Sequence, residues 1–461
     1  MAVIPLPLTG TGITPNAGRA SSSGGRALAQ TGVTQEVLVH EDGSRVMRSV
    51  LPGGVRVLTE SMPGVQSASV GFWVGVGSRD EEPGMHGSTH FLEHLLFKGT
   101  KKRSALDIAL AFDEVGGESN AATAKESTCY YARVLGTDLP MAIATIGDMV
   151  TSARLTDEDL EQERGVILEE LAMDADDPTD LAHERFTELV LGQHALGRPI
   201  GGTPEDINNT KAQAVREHYQ LHYTPRTLVV TAAGAVDHAE VCEQVMQALV
   251  NGGWDLQEGV APQARRTLEA STITPATGEH VIRRDVEQAN VLLGVPGLIA
   301  LDERRYALGV LNTVLGGGMS SRLFQRVREQ RGLAYSTYSF TGSYTDAGYF
   351  GLYAGCSPAK VRQVLDLLGA EFDEIAANGI TEHEHRVALG QLAGGRVLSG
   401  EDHGARMSRL GGAELITGEY HDLDETLRRI RAVTREQVQD VARELAARPR
   451  TAVVVGPFDS I

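Results

Sequence analysis

The sequence predicts an α+β fold of two similar domains, each a mainly antiparallel sheet with helices packed on one face. Strand-length alternating runs are followed by longer runs of helical period. The series occurs twice, on either side of a stretch at 252–277 that mixes Gly, Pro, Gln and Thr without period and reads as a linker.

In the first copy, Ser67–Val76 alternates as a strand, an apolar helix is expected over Thr89–Phe97, and 117–135 holds two strand-like runs. Leu139–Thr151 has helical period. Leu155-Thr-Asp-Glu-Asp-Leu then opens a further long helix with Thr156 as N-cap, its hydroxyl placed to accept a first-turn N–H. The second copy repeats the order. Ala289–Val295 is the strand, and a helix ends near Arg331-Gly332, Gly being a natural helix stop. Two strand-like runs lie within 333–356, a helix over Ala359–Ile375, and Ile380-Thr-Glu-His-Glu-His opens the last long helix at Thr381. The expected boundaries are 1–35 as a disordered tail, 36–251 and 278–461 as the two domains, and 252–277 as the linker.

Composition narrows the class. A chain of 461 residues with 41% hydrophobic content is long enough for two or three domains. A net charge of −19 argues against nucleic acid or an anionic membrane as partner, and acidic walls suit basic peptides. No run of 18 apolar residues occurs. Cys129, Cys242 and Cys356 are odd in number and far apart, so no disulfide framework is expected. Cys129 and Cys356 sit in strand-like apolar runs as buried thiols, and a reducing compartment follows. Residues 1–35 contain Pro5, Pro7 and Gly10 in their only apolar stretch, which interrupts a signal-type h-region and spoils an amphipathic transit helix. Six lysines against 36 arginines point to a GC-rich bacterial genome, and so to a bacterial cytoplasm ahead of a mitochondrial matrix.

The chemistry-bearing motif is His86-Gly-Ser-Thr-His-Phe-Leu-Glu-His94. At about 100° per residue, His90 and His94 lie about 40° apart on a helix, with Glu93 about 60° to the other side of His90. Two imidazoles at i and i+4 can grip one divalent metal while the carboxylate beside them takes a proton from water. The order H-x-x-E-H is the inverse of the common zincin motif. Apolar Phe91, Leu92, Leu95 and Leu96 make the helix core-like, and buried imidazoles need a partner. His86, four residues before His90, is expected near solvent at the helix start and not as a ligand. A third ligand is best sought in Glu161-Gln-Glu-Arg-Gly-Val-Ile-Leu-Glu-Glu170. There Glu163 and Glu170 share a helix face, Val166, Ile167 and Leu171 supply apolar contacts, and Glu161 and Glu169 are solvated.

These residues resemble the M16 (pitrilysin/insulinase) metallopeptidases, most nearly the short bacterial and mitochondrial-processing-peptidase-beta type, over about residue 38 to the end. The resemblance implies the same two-domain fold. It implies zinc, one per chain, held by His90, His94 and Glu170, with Glu93 as general base and Glu163 as an auxiliary acid. Gly117-Glu-Ser-Asn-Ala121, with Thr123 and Thr128-Cys-Tyr-Tyr131, resembles the strand along which substrate backbone pairs, which makes Asn120 and Ala121 substrate-binding residues. Leu196-Gly-Arg-Pro-Ile200 and Tyr223-Thr-Pro225 match framework motifs. Leu315-Gly-Gly-Gly-Met-Ser-Ser-Arg-Leu-Phe324 lacks the Gly-Lys-Ser/Thr ending of a phosphate loop. Arg328 and Tyr335 match the family's Arg/Tyr pair, which binds substrate carbonyls and the developing oxyanion.

The expected activity is that of a zinc-dependent endopeptidase acting on peptides or unfolded segments in an enclosed chamber. The chain resembles half of the larger clamshell members, so a homodimer is expected to supply the other half. The alternative is a non-catalytic M16-like structural or partner subunit.

Overall fold

The alternating runs become strands and the helical runs become helices in the computed structural model, which describes residues 3–8, 33–40 and 42–461. The strands are β1 (Val3–Pro5), β2 (Val33–Val39), β3 (Arg45–Val50), β4 (Arg56–Ser61), β5 (Ser67–Val74), β6 (Glu118–Thr123) and β7 (Thr128–Leu135). They continue as β8 (Leu228–Gly234), β9 (Gly278–Arg283), β10 (Ala289–Pro296), β11 (Ala334–Ser343), β12 (Gly348–Cys356), β13 (Glu419–His421) and β14 (Thr451–Gly456). One sheet runs β2-β3-β4-β8-β5-β7-β6 and the other β11-β12-β10-β14-β9.

The internal repeat is visible strand by strand. The order β4-β8-β5-β7-β6 matches β9-β14-β10-β12-β11, and in both the first pair is parallel while the remaining three are antiparallel. Helices Leu139–Ser152 and Val361–Asn378 follow at equivalent places, as do Asp157–Asp176 and Glu382–Ser399. Residues 252–277 contain neither helix nor strand.

The chain forms two compact units that do not follow its halves. One is Met1–Gly165, Glu205–Arg265 and Ser399–Asp422, and the other Val166–Pro204, Arg266–Leu398 and Leu423–Ile461. The first unit thus takes the helix His403–Gly412 from the opposite half, and the second takes Pro178–Leu191 together with the later turns of Asp157–Asp176. His403–Gly412 and Pro178–Leu191 each come directly after the long helix of their own repeat, so the exchange is reciprocal.

This exchange covers the second face of each sheet. In the first unit, Phe72 of β5 points towards Gly147 of the helix Leu139–Ser152, while Gly71 and Trp73 meet Met407 and Gly411 of the exchanged helix. Buried charges lock that segment in place. Glu414 receives Arg48 and Arg265, each at 2.8 Å, and Glu60 receives Arg406 at 2.6 Å and Arg409 at 3.0 Å. A fully buried carboxylate is tolerated only when paired in this way. In the second unit, Phe186 of the exchanged helix packs on Gly294 of β10, and Thr179 and Tyr353 donate to Asn290. The opposite face holds Val291 and Val295 in a core with Leu311, Phe372 and Val441.

The expectation of a disordered tail over 1–35 fails at both ends. Val3–Pro5 pairs with β13, Leu6 is buried, and β2 begins at Val33. Val3, Ile4 and Leu6 supply apolar side chains that a loose tail would leave in water. Residues 1–2 and 9–32 lie outside the described residues. All three cysteines are buried and unpaired, Cys242 included.

Candidate metal centre

The helix Ser88–Leu96 is amphipathic across a narrow span. Phe91, Leu92, Leu95 and Leu96 are buried on one side, whereas His90, Glu93 and His94 are half-buried on the other. The imidazoles stand edge to face with Nε2 atoms 3.3 Å apart. Two nitrogens bound at 2.0–2.1 Å to a tetrahedral ion are separated by about 3.3–3.4 Å, so the pair already has the spacing zinc needs.

The long helix Asp157–Asp176 faces them. Its Glu163 is 3% exposed, and Glu170 follows seven residues later on the same unbroken helix. One atom each of His90, His94 and Glu170 lies within 4.8 Å of the others, the single cluster of this kind among the described residues. Two imidazoles and a carboxylate are a usual donor set for a zinc that keeps one open position, so these residues fit that ion. Glu161 and Glu169 are exposed as expected. Val166, expected to supply an apolar contact, is instead 48% exposed, and Ile167 alone of that pair is buried. The helix turns Val166 away from the face that Glu163 and Ile167 bury.

Electrostatics around the pair are ordered. His94 Nδ1 donates to Glu163 Oε2 at 3.1 Å, and Lys98 Nζ donates to Glu163 Oε1 at 2.6 Å. A carboxylate on Nδ1 fixes the tautomer and leaves the Nε2 lone pair for a metal. Lys98 lies four residues after His94 on the same side, a spacing that could have flagged it. His86 lies just before the helix, 3.7 Å from Asp206, and outside the cluster.

Glu93 faces the sheet. Its Oε2 accepts the Thr123 N–H at 2.8 Å, at the end of the edge strand β6. On the same strand, Asn120 Oδ1 accepts the Ala121 N–H at 2.8 Å. Beneath, the Tyr130 and Tyr223 hydroxyls are 2.9 Å apart, and burial pushes both phenols well above their usual range. The Tyr223-Thr-Pro225 motif therefore marks packing under the strand that carries Tyr130.

Two groups that hold the helix Ser88–Leu96 were not evident from the sequence. Glu81, far from any helical spacing with His90, accepts the N–H groups of Gly87 and Thr89. His218 lies 3.1 Å from Thr89 Oγ1, and burial lowers its pKa to about 4.

Arg328 and Tyr335 are neighbours in the second unit. The guanidinium lies 4.6 Å from the ring centres of both Phe324 and Tyr335. Tyr335 stands on an irregularity in the pairing of β11 between Ala334 and Ser336, with 74% of its surface exposed. The glycine run before them is a packing device. A Cβ on Gly316 would come 2.0 Å from Ser339 N, so only glycine lets the helix approach β11.

Residues 56–204 match a family described as Insulinase (Peptidase family M16), and residues 209–392 match the Peptidase M16 inactive domain. A Streptomyces coelicolor protein named an uncharacterized zinc protease is 50% identical over 439 residues, covering 95% of each chain. A Mycobacterium tuberculosis protein of the same description is 47% identical over 413 residues, 90% of this chain and 93% of its own. Among solved structures, a protease from Helicobacter pylori shares the fold with a TM-score of 0.81 at 21% identity, over 90% of this chain and all of its own. The M16 inactive domain from Pseudomonas fluorescens does so with a TM-score of 0.80 at 19% identity, over 90% and 98%. With near full-length relatives and both domains matched, the chain belongs to the M16, or insulinase, family of peptidases.

Proposed function

We propose that the chain is a zinc-dependent metalloendopeptidase that hydrolyses peptides or unfolded protein segments. What supports this above all is the convergence of His90, His94 and Glu170, with Glu93 on the same helix as the imidazoles and bonded to the edge strand beside them. His90, His94 and Glu170 would hold the ion. Bound there, zinc supplies a Lewis acid that polarises the scissile carbonyl and acidifies water. Glu93 takes the proton of the attacking water and passes it to the leaving amine. Glu163 keeps His94 in the ligating tautomer. Substrate backbone adds as a strand along β6, where it takes the place of the Asn120 amide oxygen at the Ala121 N–H. Arg328 holds substrate carbonyls and the Tyr335 phenol donates to the oxyanion.

Residues 36–251 bear the metal in this scheme, 252–277 link, and 278–461 bring Arg328 and Tyr335. Two chains are inferred to associate as a homodimer that encloses a chamber for peptides, basic ones suiting the net charge of −19. Three unpaired, buried thiols and bacterial relatives support a bacterial cytoplasm. No helix among the described residues is long and apolar enough to cross a membrane. The match of 209–392 to a domain described as inactive does not favour a non-catalytic subunit, because the metal residues all precede it.

The test is metal content together with Glu93→Gln. Wild-type protein should carry one zinc per chain and lose peptide hydrolysis to a chelator. Glu93→Gln should keep zinc and lose activity by ~10² or more, as for a removed general base. Near-normal turnover in Glu93→Gln would end this assignment.

A further inference from the structure

The segment between β5 and the metal-bearing helix is tied down at both ends. At its start, Ser78 N–H donates to Ala124 O at 3.2 Å and Arg79 N–H to Lys125 O at 3.0 Å, on the turn that joins β6 to β7. The Arg79 guanidinium adds an ion pair to Glu126 at 2.6 Å on that same turn. Gly77 lies so close that a Cβ would come 2.4 Å from Ala124 O. At its end, the Glu81 carboxylate, 4% exposed, accepts from Gly87 N–H and Thr89 N–H, both at 2.8 Å.

Those N–H groups open the helix Ser88–Leu96. Its N-cap position is Gly87, which has no side chain to accept the Thr89 N–H. Unsatisfied first-turn donors are costly when buried, and a carboxylate is the best acceptor at the positive end of a helix. Glu81 therefore replaces the missing cap from outside the helix. His90 comes directly after Thr89, so the bond to Thr89 acts one residue from the first imidazole.

We propose that Glu81 is a positioning residue, which sets the height and rotation of the metal-bearing helix against the edge strand β6. This rests on the metalloendopeptidase reading above. The turn 124–127 and Thr123 adjoin on one hairpin, so two ties link it to one nine-residue helix: Ser78–Arg79–Glu81 to its start, and Glu93 to Thr123. A rise of 1.5 Å per residue makes both ties compatible with one register only. Released at Glu81, the helix start moves, and with it the imidazoles and the base relative to a peptide on β6. A misplacement of about 1 Å costs on the order of 10²-fold in rate.

The test uses full-length Glu81→Gln and Glu81→Asp, loaded with Co2+ as a spectroscopic probe and assayed on a quenched fluorescent peptide. Gln keeps length but turns one acceptor into a donor facing an N–H; Asp keeps the charge but is one methylene too short. Both should bind one Co2+ per chain with altered visible absorption, and kcat should fall by roughly tenfold or more while KM stays within about twofold. A wild-type spectrum and wild-type kcat in both variants would overturn the proposal. So would loss of folding in both by circular dichroism, which would make Glu81 a residue of the fold and not of the site. Wild-type protein that takes up no Co2+ would instead remove the metal reading beneath it.

Discussion

Consider Glu163→Gln set against Glu170→Gln. Glu163 is 3% exposed and bonded on both oxygens, to His94 Nδ1 at 3.1 Å and Lys98 Nζ at 2.6 Å. A glutamine there can still accept from one of them, but it presents an amide N–H to the other and removes the charge that makes His94 a better donor to metal. Removing a group of this kind typically weakens metal affinity by ~10–100-fold, or about 1.4–2.8 kcal/mol. Glu170→Gln removes the carboxylate of the cluster itself, so its loss should exceed that range, and zinc should fall away on dialysis. Competition against a chromophoric chelator measures both affinities, with peptide hydrolysis at saturating zinc read alongside. Glu163→Gln should regain zinc at higher concentration yet turn over more slowly. Equal losses in the two variants, or an unchanged affinity in Glu170→Gln, would refute the assignment of Glu170 as third ligand.

Glu414→Gln should destabilise the protein by about 3–5 kcal/mol in urea unfolding, since it leaves the buried Arg48 and Arg56 and the half-buried Arg265 around a neutral amide; a change under 1 kcal/mol would contradict the locking role of that cluster. His238, between the hydroxyls of Ser49 and Thr59, has its pKa lowered by burial to about 4. The unfolded chain then binds its proton first, so this contribution to stability is full above about pH 6.5 and declines as pH falls towards about 4. His238→Gln should flatten that part of the stability–pH curve; an unchanged slope would refute the assignment. Hybrid dimers of a Glu93→Gln chain and a Tyr335→Phe chain, each inactive alone, report where a site is completed. Recovered activity would mean completion across the interface, and no recovery with a dimer seen by light scattering would mean completion within one chain, which is the expected result. A strictly monomeric, fully active protein would refute the chamber.

Local periodicity makes most of this architecture legible in the sequence. Imidazoles at i and i+4, glutamates seven apart and a capping threonine before each long helix are relations within one helix, and helix geometry alone sets them. The twofold series of elements was equally legible, because each copy must alternate apolar residues along its own strands. Periodicity shows which face of a helix is apolar but not which sheet it covers. The helices Pro178–Leu191 and His403–Gly412 therefore read as parts of their own halves, and only packing placed each on the other repeat's sheet. Pairs such as Arg48–Glu414, separated by 366 residues, have no local signature, and neither has Val3–Pro5 against β13. The same holds beside the helix Ser88–Leu96. His90, Glu93 and His94 announce themselves by spacing, whereas Glu81 reaches Gly87 and Thr89 through a loop that has no repeat to read. Spacing determines which side chains can share a face; tertiary packing decides what that face meets, because hydrogen bonds and burial depend on distance in space and not along the chain.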